Sequence, residues 1–397
     1  MRLAERIDRI QPSATMAITA KAKAMRAQGI DVVGFGAGEP DFDTPQHIKD
    51  AAIRALNEGF TKYTPAGGID ELKDAVCSRM GTDYALQYKR SEVIVCCGAK
   101  HAIYNAAMAL VQAGDEVLVP APYWVSYPDI VALTGAVPVA LPSTEEEGFK
   151  ITGEQVREAI TPRTRALILN SPSNPTGAVY THEELKDLAA VVLEAGLTVI
   201  SDDIYDKLLY SDERPGHIAA LGQEIRARTL LVNGVSKTYA MTGWRIGYAV
   251  GPEALISAMD KIQGQSTSNP ASMAQKAAVE ALRGPQDCVE MMVREFDRRR
   301  RFMVSRLNAM EGVSCFEPMG AFYAFPRVEA LLGRKAGGRV IRSASDLAEY
   351  LLAEAGVAVV SGEPFGSDRH MRLSFALSLG DIEKGLDRME AALKKLG

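Results

Sequence analysis

The sequence predicts an α/β fold with a large domain, built on a mainly parallel seven-stranded sheet between helices, and a smaller α/β domain. Seven short apolar runs alternate with helical stretches over residues 93–250, which is typical of a parallel sheet covered on both faces. Beyond about Gly284 this alternation gives way to a long charged helix. The chain has 397 residues, enough for two domains. We predict an N-terminal arm with part of the small domain over residues 1–45, the large domain over 46–284 and the small C-terminal domain over 285–397.

The composition argues against several classes of protein. Apolar residues make up 47% of the chain and charged residues 24%, as in ordinary globular proteins. The net charge of -5 gives no electrostatic attraction to nucleic acid. Five cysteines without a C-x-x-C pair and five scattered histidines argue against a disulfide framework and against a metal site. We find no apolar secretion signal and no run of membrane-spanning length, so we expect a cytoplasmic protein without a membrane partner.

The N-terminal part of the chain combines helices with a glycine-rich loop. The pattern predicts a helix over residues 16–28, a short strand over 32–35 and a second helix from about 45 to 58. Residues 34–40 have G-x-G-x-G spacing, and a Glu-Pro pair follows where a dinucleotide-binding motif would begin its helix. This spacing argues against NAD binding and favours a loop whose backbone a ligand can approach.

Polar residues follow several of the predicted strands of the large domain, and ligands bind beyond the carboxyl ends of parallel strands. Ala99 and Lys100 follow the first strand and precede an apolar helix over residues 101–111, whose N-terminus can bind an anion. Asn174 lies in a turn-rich segment after the fourth strand. Asp202 follows the fifth strand as a buried carboxylate that needs a cation, or else as a helix cap. The predicted strands cover residues 93–96, 117–119, 137–141, 166–169, 198–200, 230–232 and 246–250.

A lysine stands between the last two of these strands. Lys237 follows Ser236 and precedes Arg245 by one short turn segment. A buried lysine loses its charge readily, which makes Lys237 a candidate nucleophile or Schiff-base former. An arginine can hold a carboxylate or a phosphate by a two-pronged contact. The alternative is that Lys237 is an ordinary solvated turn residue.

The predicted small domain supplies a second arginine. Arg372 interrupts an apolar strand over residues 371–376 and therefore needs an anionic partner. The other elements predicted for this domain are helices over residues 285–310 and 345–355 and strands over residues 322–325 and 357–360.

A Schiff-base lysine, a buried carboxylate and a phosphate cradle are the parts that a pyridoxal phosphate (PLP) enzyme needs. The chain closely resembles the fold-type I, class I aminotransferases, and within them the bacterial aspartate aminotransferase branch called Ib. The resemblance runs nearly from end to end. It rests on the joint order and spacing of residues 11–15, 37–42, 62–65, 123–128, 170–177, 201–205, 236–247 and 371–376.

The resemblance implies a role for each candidate residue. Lys237 would bear PLP as a Schiff base and act as general base and acid, with Asp202 on the pyridine nitrogen and Tyr205 on the phenolic oxygen. Tyr63 would reach the cofactor phosphate of the other subunit, so the active unit would be a homodimer with shared active sites. The remaining cofactor contacts would come from Ala99, Lys100, Trp124, Asn174, Ser236 and Arg245, and the substrate contacts from Thr15, Gly38, Lys100, Trp124, Asn174 and Arg372.

The implied reaction moves an amino group between L-aspartate, or a similar amino acid, and 2-oxoglutarate by a ping-pong mechanism. Arg372 would bind the α-carboxylate, and Lys100 with Thr15 the distal carboxylate, although Lys100 could also be a solvated residue at a helix start. Gln11 is neutral where relatives that use prephenate carry a basic residue, which argues against prephenate. Alanine, aromatic and prephenate substrates stay open, as does a PLP-dependent lyase on the same fold. A PLP-binding regulator would need a nucleic-acid-binding module and basic charge, which we do not find in the sequence.

Overall fold

The computed structural model describes residues 1–210, 216–336 and 339–397. Its strands, in chain order, are β1 (Val33–Gly34), β2 (Val93–Cys96), β3 (Glu116–Ala121), β4 (Val137–Pro142), β5 (Thr164–Asn170), β6 (Thr198–Asp202), β7 (Thr229–Gly234), β8 (Gly247–Val250), β9 (Tyr323–Ala324), β10 (Lys335–Ala336), β11 (Arg339–Val340), β12 (Val357–Ala358), β13 (Val360–Ser361) and β14 (Met371–Ser374).

The α-helices, in chain order, are α1 (Ala14–Ala27), α2 (Gln46–Asn57), α3 (Asp70–Tyr84), α4 (Ala99–Leu110), α5 (Ser126–Leu133), α6 (Gly153–Ala159), α7 (His182–Ala195), α8 (Gln223–Arg226), α9 (Glu253–Ser266), α10 (Ser272–Arg283), α11 (Asp287–Asn308), α12 (Ala344–Ala355) and α13 (Leu379–Leu393).

The seven predicted strands form one sheet in the order β2-β8-β7-β6-β5-β3-β4. Neighbouring strands from β7 to β4 are parallel, whereas β8 is antiparallel to both β7 and β2. The predicted α/β fold with a mainly parallel seven-stranded sheet is therefore confirmed. The reversal of β8 was not predicted, because a buried run of apolar residues carries no signal of strand direction.

Helices cover both faces of this sheet, which explains why its strands are continuously apolar. In β5, Ala166 and Ile168 pack with α4, α5 and α9, while Leu167 and Leu169 pack with α6 and α7 on the opposite face. Successive side chains of a strand point to opposite faces, so each of these residues is buried by a different layer. The helices α2, α3 and α10 cover the β2 end of that second face.

A second group of elements packs α11, α12 and α13 around a three-stranded antiparallel sheet of order β13-β14-β9. The N-terminal strand β1 pairs with β12 there, and Val33 and Phe35 lie in the same core. The predicted strand over residues 357–360 was wrong in one respect, since it is two short strands, β12 and β13, with different partners. The domain boundaries at residues 45 and 284 stay a prediction.

No helix within the described ranges is long and apolar enough to cross a membrane. The longest of the helices given above, α11, is highly charged, and its buried side includes Arg299 and Arg300. In the same described part of the chain, no group of three or more His, Cys, Asp and Glu side chains could hold a metal ion.

Candidate active site

The carboxyl ends of β2, β5, β6 and β7 open into one cavity of about 550 Å³. The cavity brings together residues that are up to 359 positions apart in the chain. Tyr63 is the exception among the predicted site residues: it is 92% exposed and does not line the cavity. The predicted residues that do line it are Thr15, Gly38, Ala99, Lys100, Trp124, Asn174, Asp202, Tyr205, Ser236, Lys237, Arg245 and Arg372.

Lys237 follows β7, and its amino group is held by the glycine-rich loop. The Nζ atom donates a hydrogen bond to the carbonyl oxygen of Gly38, at 2.6 Å. Burial lowers the pKa of Lys237 to about 8, partly opposed by the carboxylate of Glu39, which raises it. A neutral amine is a nucleophile and a base, so this lysine is close to its reactive form at mildly alkaline pH. The alternative of a solvated turn lysine does not describe this residue.

Asp202 is the last residue of β6 and is only 3% exposed. The Tyr127 hydroxyl donates to its Oδ2 atom at 2.7 Å, and the Ile204 amide donates to its Oδ1 atom at 3.3 Å. Burial raises the pKa of Asp202 to about 6 in spite of these donors. Residues 203–210 form no α-helix, so Asp202 is not a helix cap. A cationic ligand group would favour its ionised form.

Arg372 lies on β14 and is 2% exposed. Its Nη1 atom donates to Oδ1 of Asn174 at 3.0 Å, and its Nη2 atom donates to the carbonyl oxygen of Gly36 at 2.8 Å. The Nε atom is buried without a hydrogen-bond partner among the described residues. The guanidinium carbon lies 4.5 Å from the centre of the Tyr323 ring. No carboxylate in the described part of the chain pairs with Arg372, so its guanidinium group is available to an anionic ligand.

The segment between β2 and α4 forms a cradle for an anion. Gly98 has a φ of 91° and precedes α4, whose first amide groups have no acceptor within the helix. Arg245 lies beside this helix start, where it donates to the carbonyl oxygens of Thr242 at 2.9 Å and of Cys97 at 3.3 Å. A Cβ atom on Gly98 would come within 2.4 Å of Arg245 Nη2, so only glycine allows this approach. Helix amides and an arginine are the donors that suit a phosphate.

Two aromatic pairs connect the cavity walls. Trp124 packs edge-on against Tyr127 at a ring-centre distance of 5.3 Å, and Lys100 Nζ lies 4.8 Å from the centre of the Trp124 ring. Burial, and then the nearby charge of Arg245, lowers the pKa of Lys100. On the other wall, the hydroxyl groups of Tyr205 and Tyr323 are 2.9 Å apart. Lys100 therefore faces the cavity, although its side chain is also partly open to solvent.

Sequence reasoning missed several residues that line this cavity. Tyr127 belongs to a segment that the family resemblance had already marked, but nothing in the sequence indicates that its hydroxyl reaches Asp202. Ser13 and Glu39 likewise belong to segments that the resemblance had marked, although no role was predicted for them. For the residues of α1 beyond Thr15 the sequence gives no such signal, because helical periodicity does not show which exposed face meets a ligand. The cavity-lining residues that were not predicted include Ser13, Met16, Thr19, Lys23, Glu39, Tyr127, Asn170, Thr242 and Tyr323.

Comparison with known proteins identifies the family. Residues 30–389 match the family described as aminotransferase class I and II. The chain belongs to this family. Its members are PLP-dependent aminotransferases, so the resemblance that the sequence motifs suggested is confirmed.

The similarity extends over the full length of this aminotransferase. It is 50% identical to the aspartate aminotransferase of Geobacillus stearothermophilus over 389 residues, which cover 98% of each chain. It is 46% identical to the aspartate/prephenate aminotransferase of Nitrosomonas europaea, with 99% of this chain and 100% of that one covered. The crystal structure of the aspartate aminotransferase from Rhizobium meliloti matches it with a TM-score of 0.97 and 44% identity over 100% of both chains.

Proposed function

We propose that this aminotransferase moves an amino group between L-aspartate, or a similar amino acid, and 2-oxoglutarate, with PLP as cofactor. One observation carries the proposal: Lys237, Asp202 and Arg372 line a single cavity next to a phosphate cradle. The full-length similarity to proteins named aspartate aminotransferase supports the choice of substrate. A ping-pong course follows, since the donor's 2-oxo acid has to leave before the acceptor enters the same cavity.

The cavity suits PLP in its charge and its shape. Arg245, Ser236 and the first amides of α4 would hold the phosphate, because they meet at one end of the cavity, where Gly98 leaves room for the Arg245 guanidinium. Asp202 would pair with the pyridine nitrogen, and Asn174 and Tyr205 would hold the phenolic oxygen, with Trp124 against the ring. When bound, PLP supplies an electron sink for the negative charge that develops at the substrate Cα.

Lys237 would form the covalent link to PLP and would then move a proton at the substrate Cα. Its low pKa of about 8 lets the amine act first as a nucleophile and later as a base at the substrate Cα. The carbonyl of Gly38 holds Nζ inside the cavity at 2.6 Å, which keeps the amine close to where the substrate binds. After taking the proton, the same side chain can return it as a general acid.

Asp202 and Arg372 would bind groups of opposite charge. A carboxylate at Asp202, fixed by the Tyr127 hydroxyl, stabilises positive charge on a nearby ring nitrogen. Arg372 would bind the substrate α-carboxylate through its guanidinium group, whose Nε–H has no acceptor among the residues that the structure describes. Holding the carboxylate in this way fixes the direction of the Cα–H bond, which lowers the barrier to proton removal.

We also propose a homodimer with shared active sites. Tyr63 is 92% exposed and stands outside its own chain's cavity, which agrees with a role in the active site of a second copy.

Prephenate is a second candidate substrate, because the Nitrosomonas europaea relative is named an aspartate/prephenate aminotransferase. Gln11 is exposed, and its backbone amide donates to Asp129 at 3.4 Å. As a neutral side chain it can hydrogen-bond to a further carboxylate but cannot neutralise one. We therefore keep aspartate as the proposed donor and make prephenate one outcome of the test.

The test is a half-reaction titration. The PLP-loaded enzyme, without an acceptor, is mixed in turn with aspartate, glutamate, alanine, phenylalanine and the amino product of prephenate, and the absorbance spectrum follows conversion of the cofactor. Fast conversion by aspartate and glutamate alone is expected. Conversion mainly by alanine, phenylalanine or the prephenate product would keep the reaction and overturn the substrate. No conversion, with release of pyruvate and ammonia instead, would point to a lyase.

A further inference from the structure

The loop over residues 36–43 supplies hydrogen-bond acceptors to two charged side chains of the cavity. The Gly36 carbonyl accepts from Arg372 at 2.8 Å, and the Gly38 carbonyl accepts from Lys237 at 2.6 Å. Within the described part of the chain, no residue of this loop takes part in a backbone–backbone hydrogen bond. The positions of the two carbonyl groups therefore depend on the side chains that hold the loop.

The chain is fixed on either side of this loop. The Phe35 amide donates to the Ala358 carbonyl, and the Phe35 carbonyl accepts from the Ser374 amide, both at 2.8 Å. After the loop, the buried Thr44 donates its hydroxyl to the Ala240 carbonyl at 2.7 Å. A segment without backbone hydrogen bonds opens easily unless other contacts restrain it. The residues between these two fixed points thus need support from their side chains.

Arg299 of α11 provides such support from outside the cavity. Its Nη1 atom donates to Oδ1 of Asp41 at 2.7 Å, and its guanidinium carbon lies 5.2 Å from the centre of the Phe42 ring. The same ring packs edge-on against Phe296 at a ring-centre distance of 5.4 Å. Arg299 is buried within its own chain and does not line the cavity. It therefore restrains the loop without occupying any space where a substrate or cofactor could bind.

This ion pair is better placed to fix the loop than the other charged contacts of residues 36–43. Arg299 also donates from Nε to Glu295 on its own helix at 2.9 Å, which fixes the direction of the guanidinium group. Asp43 forms an ion pair as well, but its side chain is exposed, and such pairs contribute little to stability. Glu39 lines the cavity itself. Arg299 is thus the buried, doubly anchored contact that holds the loop from behind.

We propose that Arg299 is a positioning residue, which fixes the 36–43 loop and, through its two carbonyl groups, the orientation of Arg372 and Lys237. This inference rests on the proposed function. It gives α11, a helix outside the cavity, a part in substrate binding and in the reactivity of the lysine.

The test compares Arg299→Met with the matched variant Arg300→Met. Arg300 is the next residue of α11, is also buried and forms ion pairs with Asp297 and Glu317. In the ranges that the structure describes, it makes no hydrogen bond or ion pair with the 36–43 loop. Both substitutions remove one buried charge from the same helix, so urea unfolding should show a loss of stability in each. Asp41→Asn removes the same ion pair from the loop side and leaves α11 unchanged.

Two measurements report the position of the loop. The KM for aspartate and for alanine in the half-reaction should rise about threefold to tenfold alike in Arg299→Met and Asp41→Asn, as for the loss of one hydrogen bond that orients Arg372. In the cofactor-free enzyme, the pH dependence of Lys237 acetylation by acetic anhydride is followed by mass spectrometry. Its midpoint should fall by about half a unit to one unit, because the Gly38 acceptor favours the ammonium form. Arg299→Lys, which keeps the charge, should recover part of both effects.

Arg300→Met should keep the wild-type KM values and the wild-type acetylation midpoint, even where its urea midpoint falls. The inference is wrong if Arg299→Met and Asp41→Asn change only the urea midpoint, or if Arg300→Met changes KM and acetylation to the same extent. If the wild type converts no amino donor, it is the proposed function that fails. The acetylation midpoint of the cofactor-free variants would still test the position of the loop.

Discussion

Two walls of the same cavity are built in opposite ways. The wall of strand ends and β14 holds buried side chains that are already hydrogen-bonded, such as Asp202 at 3% exposure and Arg372 at 2%. The wall of α1 has one buried residue, Ala22, and presents partly exposed polar groups. Reaction chemistry needs fixed groups, while recognition of varied side chains tolerates adjustable ones. We therefore expect the wall of strand ends to carry the reaction chemistry and to bind the α-carboxylate, and the wall of α1 to contact the substrate side chain.

The largest effect on the rigid wall is expected from Lys237→Ala. Loss of the nucleophile and base should lower kcat at least about a thousandfold and remove the absorbance of lysine-bound PLP. Steady-state kinetics and the visible spectrum measure both effects. The exposed Lys261→Ala provides the control and should behave as wild type. Turnover near the wild-type level in Lys237→Ala would contradict the proposed function.

A smaller loss is expected from Asp202→Asn, which keeps the shape of the side chain and removes its charge. The variant should still bind PLP but lose about a hundredfold or more in kcat, because a preorganised charge is missing. An unchanged kcat would show that Asp202 has only a structural role.

The same substitution should stabilise the protein without cofactor. Burial raises the pKa of Asp202 from 3.8 to about 6, so folding favours the protonated carboxyl, and stability falls as the pH rises from about 4 to about 6. Above that window the penalty is on the order of 3 kcal/mol. Urea unfolding should therefore show a gain for Asp202→Asn that is larger at pH 8 than at pH 5. Asp368→Asn, at a side chain that is 83% exposed, should show no gain at either pH.

Arg372→Lys should have the mildest effect on the rigid wall. A lysine keeps the positive charge but loses the two-pronged contact, so KM should rise about tenfold to a hundredfold for acidic and neutral donors alike. Arg300→Lys serves as a matched control, since Arg300 is also buried but pairs with Asp297 away from the cavity. A rise confined to acidic donors would place Arg372 at the distal carboxylate and would erase the contrast between the two walls.

The sequence predicted the rigid wall better than the wall of α1. Apolar runs located all seven strands of the sheet, and the rule that ligands bind at strand ends led to Ala99, Asn174, Asp202 and Lys237. The contact between Tyr127 and Asp202 was not predictable, because it joins residues 75 positions apart and depends on how α5 packs.

Apart from Thr15, which the family resemblance marked as a substrate contact, the wall of α1 was recognised only as a helix. Its predicted range, residues 16–28, is close to the observed Ala14–Ala27, but all its turns carry small or polar residues, and one buried alanine gives almost no amphipathic signal. Tertiary contacts decide which face of α1 meets the cavity. One example is the packing of Ile18 and Thr19 against Gly36. The residues of α1 that line the cavity could therefore not be identified before the packing was known.

The glycine-rich loop ties the two ends of the reaction centre to one short piece of backbone. Gly36 accepts from Arg372, and Gly38 accepts from Lys237, both through carbonyl oxygens. Both acceptors are backbone atoms, so substituting side chains of the loop removes neither of them, and alanine scanning of residues 36–38 would not reveal these contacts. The two contacts are instead coupled, because a shift of residues 36–38 would displace both acceptors at once. We therefore expect the free-energy effects of substitutions at positions 237 and 372 to be non-additive.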